Sequence, residues 1–151
     1  MIDVVNYQEK TEGSQLPPLV CKMLRVAQID KSIAVCLDSI ERVESQKYRI
    51  TSSLTGMPRG SMGASKDNVI YKGIALEERL NALREERERL LLEIADDPVM
   101  EILEPEEYSV LVRKYIDGYS LRRIAYLMFL SKSTIDNRLK SALQKMDNAG
   151  R

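Results

Sequence analysis

Apolar residues return along this chain at helical spacing, and no stretch alternates as a strand would. After the pair Pro17-Pro18, which suits a first helical turn, Val26, Ile29, Ile33, Cys36, Ile40 and Val43 follow one another by three or four residues. Met23, Ala27, Ala34 and Leu37 widen this stripe. The spacing predicts one long helix over about 17–50 with a coiled-coil-like seam. From Thr51 the pattern lapses, with Gly56, Pro58, Gly60 and Gly63 standing among serines and threonines, so 51–66 reads as a loop. It resumes after Asp67, a suitable N-cap, with Val69, Gly73, Leu76, Leu80, Leu83, Leu90 and Ile94, broken only by Arg87. Arg84, Glu85, Glu88 and Arg89 set opposite charges four residues apart on the outer face of this second helix, over about 67–95. Two stripes of similar length joined by one loop predict an antiparallel helical hairpin over 17–97.

Asp97-Pro98 and Glu104-Pro105 then punctuate the chain, each placing proline in a first helical turn. A helix from 105 to about 117 presents Tyr108, Leu111, Val112 and Tyr115, and Gly118 can take the left-handed conformation that ends it. Next comes a short helix capped by Ser120, with Leu121, Ile124, Ala125 and Met128 on one face. A tight turn plugged by Leu130 leads to a last helix after Ser131, whose Ile135, Leu139, Ala142, Leu143 and Met146 return to the same core. The small Ala125 permits a close crossing, as in a helix-turn-helix. The expected fold is therefore all-α: a helical hairpin, then a three- to four-helix domain over 98–151. Residues 1–16 are polar and without period, and read as a flexible arm.

Composition changes this picture little. With 151 residues, 44% apolar and 30% charged, the chain suits one folded domain or two small ones. Charge changes it more. Lys and Arg total 23 against 23 Asp and Glu, so a nucleic-acid reading rests on how the charge is distributed. From Tyr119 onward seven basic residues face two acidic ones, whereas 69–97 holds five basic and eight acidic. The positive end coincides with the helix-turn-helix.

Catalysis finds no support. There is no histidine, Cys21 and Cys36 have no metal-binding or redox spacing, and the carboxylates lie on charge-alternating helical faces. About 22 Å of helical rise separates the two cysteines and forbids a bridge between them, so both read as reduced thiols. No apolar run approaches the roughly 20 residues of a membrane span. A cytoplasmic protein without catalytic residues, metal or cofactor, and without a membrane partner, is expected.

The last helix leaves Lys132, Ser133, Asp136, Asn137 and Lys140 outside, all polar and able to reach base edges in a major groove. Arg122 and Arg123, on the helix that would cross the backbone, are candidates for phosphates together with Ser131 and Lys145. Arg138 is expected to tuck against the acidic start of the 105–117 helix, near Glu106 or Glu107, although it too could reach a phosphate. The run Gly56, Met57, Pro58, Arg59 and Gly60 suits an anion or DNA-backbone contact, a partner contact or a plain turn. It lacks the Lys and Ser or Thr of a nucleotide-binding loop.

The segment 108–146, with its RKYIDGYSLRRIA approach and SKSTIDNRLKSALQKM helix, resembles region four of the sigma-70 superfamily, the module that reads the −35 promoter element. The likeness is nearest to the extracytoplasmic-function branch, where a Thr-Val-Lys-Ser-Arg-Leu run stands in the place of Thr134-Ile135-Asp136-Asn137-Arg138-Leu139. With the hairpin and its GMPRG loop, residues 17–147 resemble small phage-encoded proteins of sigma-region-four type, some grouped with late-gene transcriptional regulators. This resemblance implies a sequence-specific, double-stranded-DNA-binding transcriptional activator in the host cytoplasm, with host RNA polymerase as a partner. Two positions depart from the pattern: Phe129 stands where a turn glycine is frequent, so the turn must avoid a left-handed residue or accept strain there, and Asp136 replaces a frequent basic residue. Nothing matches sigma region two, the part that melts promoters. The alternative is a protein-binding adaptor that works through the hairpin with little DNA affinity of its own. The broad stripe from Met23 to Val43 also suits a homodimer.

Overall fold

The computed structural model describes residues 16–53 and 62–150, with side chains placed for 16–50 and 67–150. These residues are all-helical, with no strand among them. Two long helices, α1 (Pro18–Ser53) and α2 (Met62–Ala95), precede a 3₁₀ turn, Pro98–Glu101. Helix α3 (Pro105–Leu111) runs on through a π-helical turn, Val112–Ile116, and is followed by α4 (Leu121–Met128) and α5 (Lys132–Ala149). The expected arm, apart from Leu16, and the run at residues 56–60 lie outside the described residues.

The loop expected at 51–66 is shorter at both ends. Helix α1 continues to Ser53, and α2 begins at Met62, five residues before Asp67. Gly63 does not break the helix, because one glycine in a first turn costs only about 1 kcal/mol, and the first amides of a helix lack intrahelical partners in any case.

Contacts divide the chain into two compact units, one of them Gln28–Arg89. Within it Ile29, Cys36 and Val43 of α1 and Val69 and Leu80 of α2 are buried, in single file. The Cys36 thiol donates to the Leu76 carbonyl at 3.2 Å, Asp30 pairs with Arg87, and a Cβ added to Gly73 would lie 3.5 Å from Val43 Cγ1. Asp30, Cys36 and Val43 of α1 thus lie by Arg87, Leu76 and Gly73 of α2. Arg87, which interrupts the apolar stripe, sits at the seam with its counterion and gives it one polar register mark.

The other unit joins the residues before Gln28 to those from Leu90 onward. It therefore takes in parts of both long helices besides the expected 98–151. Leu19, Val20, Met23 and Val26 are buried at the start of α1, as is Ile94 near the end of α2. Lys22 and Glu93 pair at 3.7 Å. Helix α5 packs against α3 and α4, burying Ile135, Leu139, Ala142 and Met146 in a core that includes Val110, Leu111, Tyr115, Ile124 and Ala125.

Asp67 lies inside α2 and does not cap it, whereas Asp97, Ser120 and Ser131 do cap the helical segments that follow them. Asp97 accepts a hydrogen bond from the Val99 amide at 3.0 Å. Gly118, at φ 75°, is the one left-handed glycine among the described residues. Before it, the Asp117 amide reaches back five residues to the Val112 carbonyl at 3.0 Å, the widened pitch of a π turn. The inward arc of α3 differs from the expected one: Glu107 and Val110 are buried with Leu111, while Tyr108 and Val112 are only half-buried. Lys145 makes this possible by bringing a charge to Glu107.

Candidate nucleic-acid interface

Helix α4 is sharply two-faced. Its N-cap Ser120 is extended (φ −70°, ψ 158°), and its hydroxyl accepts from the Arg123 amide at 3.2 Å, satisfying one of the donors that a helix start leaves open. Ile124 and Ala125 point inward, while Arg122, Arg123 and Tyr126 are exposed. After Met128 the chain turns through Phe129 at φ 56°, ψ 36°. The Leu130 amide then donates to the Ala125 carbonyl at 3.0 Å. This bond closes a helix C-terminus as a left-handed glycine commonly does, with phenylalanine in that place. Of the two outcomes open to the turn, it accepts the strain.

Leu130 is half-buried, and Ser131 already caps α5. The Ser131 hydroxyl accepts from the Thr134 amide at 3.2 Å and lies 2.7 Å from the Thr134 hydroxyl and 3.2 Å from that of Ser133. Only residues 129–131 separate α4 from α5.

On α5 the two faces separate as the spacing predicts. Lys132, Ser133, Asn137 and Lys140 are exposed and Asp136 is half-buried, opposite the buried Ile135, Leu139, Ala142 and Met146. The structure thus places the five proposed base-reading residues on one helical surface. Asp136 and Lys140 pair with each other at 2.9 Å, so the carboxylate offsets the lysine charge at the middle of that surface. Positive charge is concentrated at its start, because no acidic residue occurs between Asp117 and Asp136, a span that contains Arg122, Arg123 and Lys132.

Of the four phosphate candidates, Arg122 and Arg123 are exposed at the start of α4 and Ser131 at the start of α5. Lys145 lies apart from them. Its ammonium is 2.8 Å from Glu107 Oε1, on a carboxylate only 2% exposed, so a phosphate would have to compete for it. Ser141 adds a hydrogen bond to the same oxygen at 3.3 Å, while Glu107 Oε2 is buried without a partner. Arg138 spans to the start of α3, with Nη1 3.0 Å from Glu104 and Nη2 3.0 Å from Glu106. It orients α5 as expected, although Glu107 takes Lys145 instead.

No known family, curated protein or solved structure matches this chain significantly. Among the described residues no cluster of acidic or cysteine side chains is arranged to hold a metal, and no helix is long and apolar enough to cross a membrane. Two features of the site escaped the apolar pattern. Tyr126 is exposed with the Arg123 guanidinium 5.9 Å from its ring centroid, and Phe129 is 94% exposed. A phenylalanine at a turn position otherwise suited to glycine was the one available signal.

Proposed function

We propose that this protein is a sequence-specific double-stranded-DNA-binding transcriptional regulator, an activator of the phage-encoded, sigma-region-four type. In this reading the first two helices form a helical hairpin for association, and α4, the turn and α5 form a helix-turn-helix acting in the cytoplasm of a host cell. Helix α5 enters the major groove. Lys132, Ser133, Asp136, Asn137 and Lys140 face base edges, with Asp136 suited to a cytosine amino group. Arg122, Arg123 and Ser131 hold phosphates near the start of the motif. The observation that carries the reading is the polar, exposed face of α5, presented after a three-residue turn beside an acid-free basic segment. The zero net charge makes weak non-specific binding the expectation, with recruitment by RNA polymerase making up the difference.

The test is a gel-shift titration on a matched and a scrambled duplex. Asn137→Ala should cost roughly 1–3 kcal/mol on the matched site alone, whereas Arg123→Ala should weaken both and flatten the salt dependence. Equal losses on both duplexes for Asn137→Ala would remove it from base readout.

A second reading, an adaptor that binds a protein partner, draws on the apolar side chains exposed in the Gln28–Arg89 unit: Val35, Leu37, Tyr48, Ile70, Tyr71 and Ile74. Such a surface also suits a homodimer. Apolar association should scarcely respond to salt, whereas DNA binding through several cations should fall steeply. Sedimentation at micromolar concentration showing only a 17.2 kDa species would exclude the dimer.

A further inference from the structure

The sequence contains a single phenylalanine, and it lies outside the core. Phe129 is the most exposed of the large apolar side chains among the described residues, and its backbone is left-handed at φ 56°. Both features oppose folding. Glycine would close the same turn without a Cβ clash, and a ring in water contributes no burial. An outlier that the fold does not require points to use elsewhere.

The surroundings select the partner. Tyr126, one helical turn earlier, is 74% exposed and lies beneath the Arg123 guanidinium. Arg122 and Lys132 are exposed on the same segment, within the span that lacks acidic residues. Exposed aromatic rings in a positive field complement a polyanion that itself carries rings and sugars, which is the chemistry of nucleic acid.

We propose that Phe129 packs on the deoxyribose and the groove-exposed thymine methyl groups of the DNA duplex that the neighbouring arginines attract, and that Tyr126 extends this non-ionic contact. The inference rests on the DNA-binding reading above. Phe129 then supplies affinity that does not depend on counterion release, in a protein with few phosphate contacts to offer.

The experiment compares wild type with Phe129→Gly, Phe129→Asn and Phe129→Tyr in the full chain, using a duplex enriched by wild type from a random-sequence pool and a scrambled duplex. Glycine and asparagine both tolerate the left-handed turn. Their Tm should hold or rise by roughly 3 °C, while affinity for the enriched duplex falls about tenfold. The slope of affinity against salt should not change, because no phosphate contact is lost. Phe129→Tyr should retain wild-type affinity. Glycine and asparagine variants that bind as tightly as wild type would overturn the inference and leave the ring to a protein partner. A lowered Tm in both would also overturn it, by showing that the ring serves the fold. If wild type binds neither the pool nor the scrambled duplex, the DNA-binding reading fails and takes the inference with it.

Discussion

The two compact units bury their apolar residues in different ways. Among the described residues, the Gln28–Arg89 unit buries five apolar side chains, whereas the unit that contains α3, α4 and α5 buries sixteen. A two-helix seam covers each side chain from one direction and leaves Val35, Tyr48 and Tyr71 in water. Helix α5, packed against both α3 and α4, sits in a core that closes around it. The ion pairs follow the same division. Asp30 and Arg87 are each 38% exposed, while Glu107 is almost completely covered beside Lys145. A shallow seam tolerates change at single positions and leaves apolar surface exposed; a closed core holds the outer faces of its helices in place.

Leucine gives the sharpest test, since Leu139 and Leu80 are both 7% exposed. Leu139→Ala should destabilise its unit by about 3–4 kcal/mol, because the closed core cannot collapse around the void, and Leu80→Ala its own by about 2 kcal/mol. Hydrogen exchange resolved by segment reads the two units separately. Equal losses would mean that the seam is as rigid as the core.

The ion pairs come next. Lys145→Met strands the buried Glu107 carboxylate and should cost about 3 kcal/mol, whereas Arg87→Met breaks a half-exposed pair and should cost about 1 kcal/mol. Denaturant titration of the two variants measures both. Near-neutral stability for Lys145→Met, combined with weakened DNA binding, would return this lysine to the phosphate role that its position in the sequence suggested.

The smallest effect is expected at Gly73. An added Cβ there would lie 3.3 Å from Lys47 Nζ, the mobile end of a long side chain, and 3.5 Å from Val43 Cγ1. Helix propensity should therefore prevail, and Gly73→Ala should stabilise the seam by about 0.5 kcal/mol. A lower Tm would show that the helices cannot yield even at the lysine.

Much of this was legible in the chain because it depends on near neighbours. Helix type follows from apolar spacing, as Ile29, Cys36 and Val43 illustrate. Caps at Asp97, Ser120 and Ser131 follow from one side chain and an amide two or three residues on. The outward face of α5 follows from its inward one. Boundaries within 51–66 were less legible, because a glycine or proline cluster marks weak helix and not where helix stops.

By itself, then, the sequence determined helix throughout the folded parts described, the apolar stripes of α1, α2, α4 and α5, and the polar face proposed to meet DNA. Tertiary structure alone decided that Glu107 turns inward, that Lys145 follows it, that Arg87 finds Asp30 along the seam, and that Phe129 takes a left-handed turn with its ring in water. Partners of paired charges lie 57 residues apart for Asp30 and Arg87 and 38 apart for Glu107 and Lys145, and no local period links them. A left-handed phenylalanine runs against local preference, and the packing of Leu130 and α5 beyond it holds the backbone there.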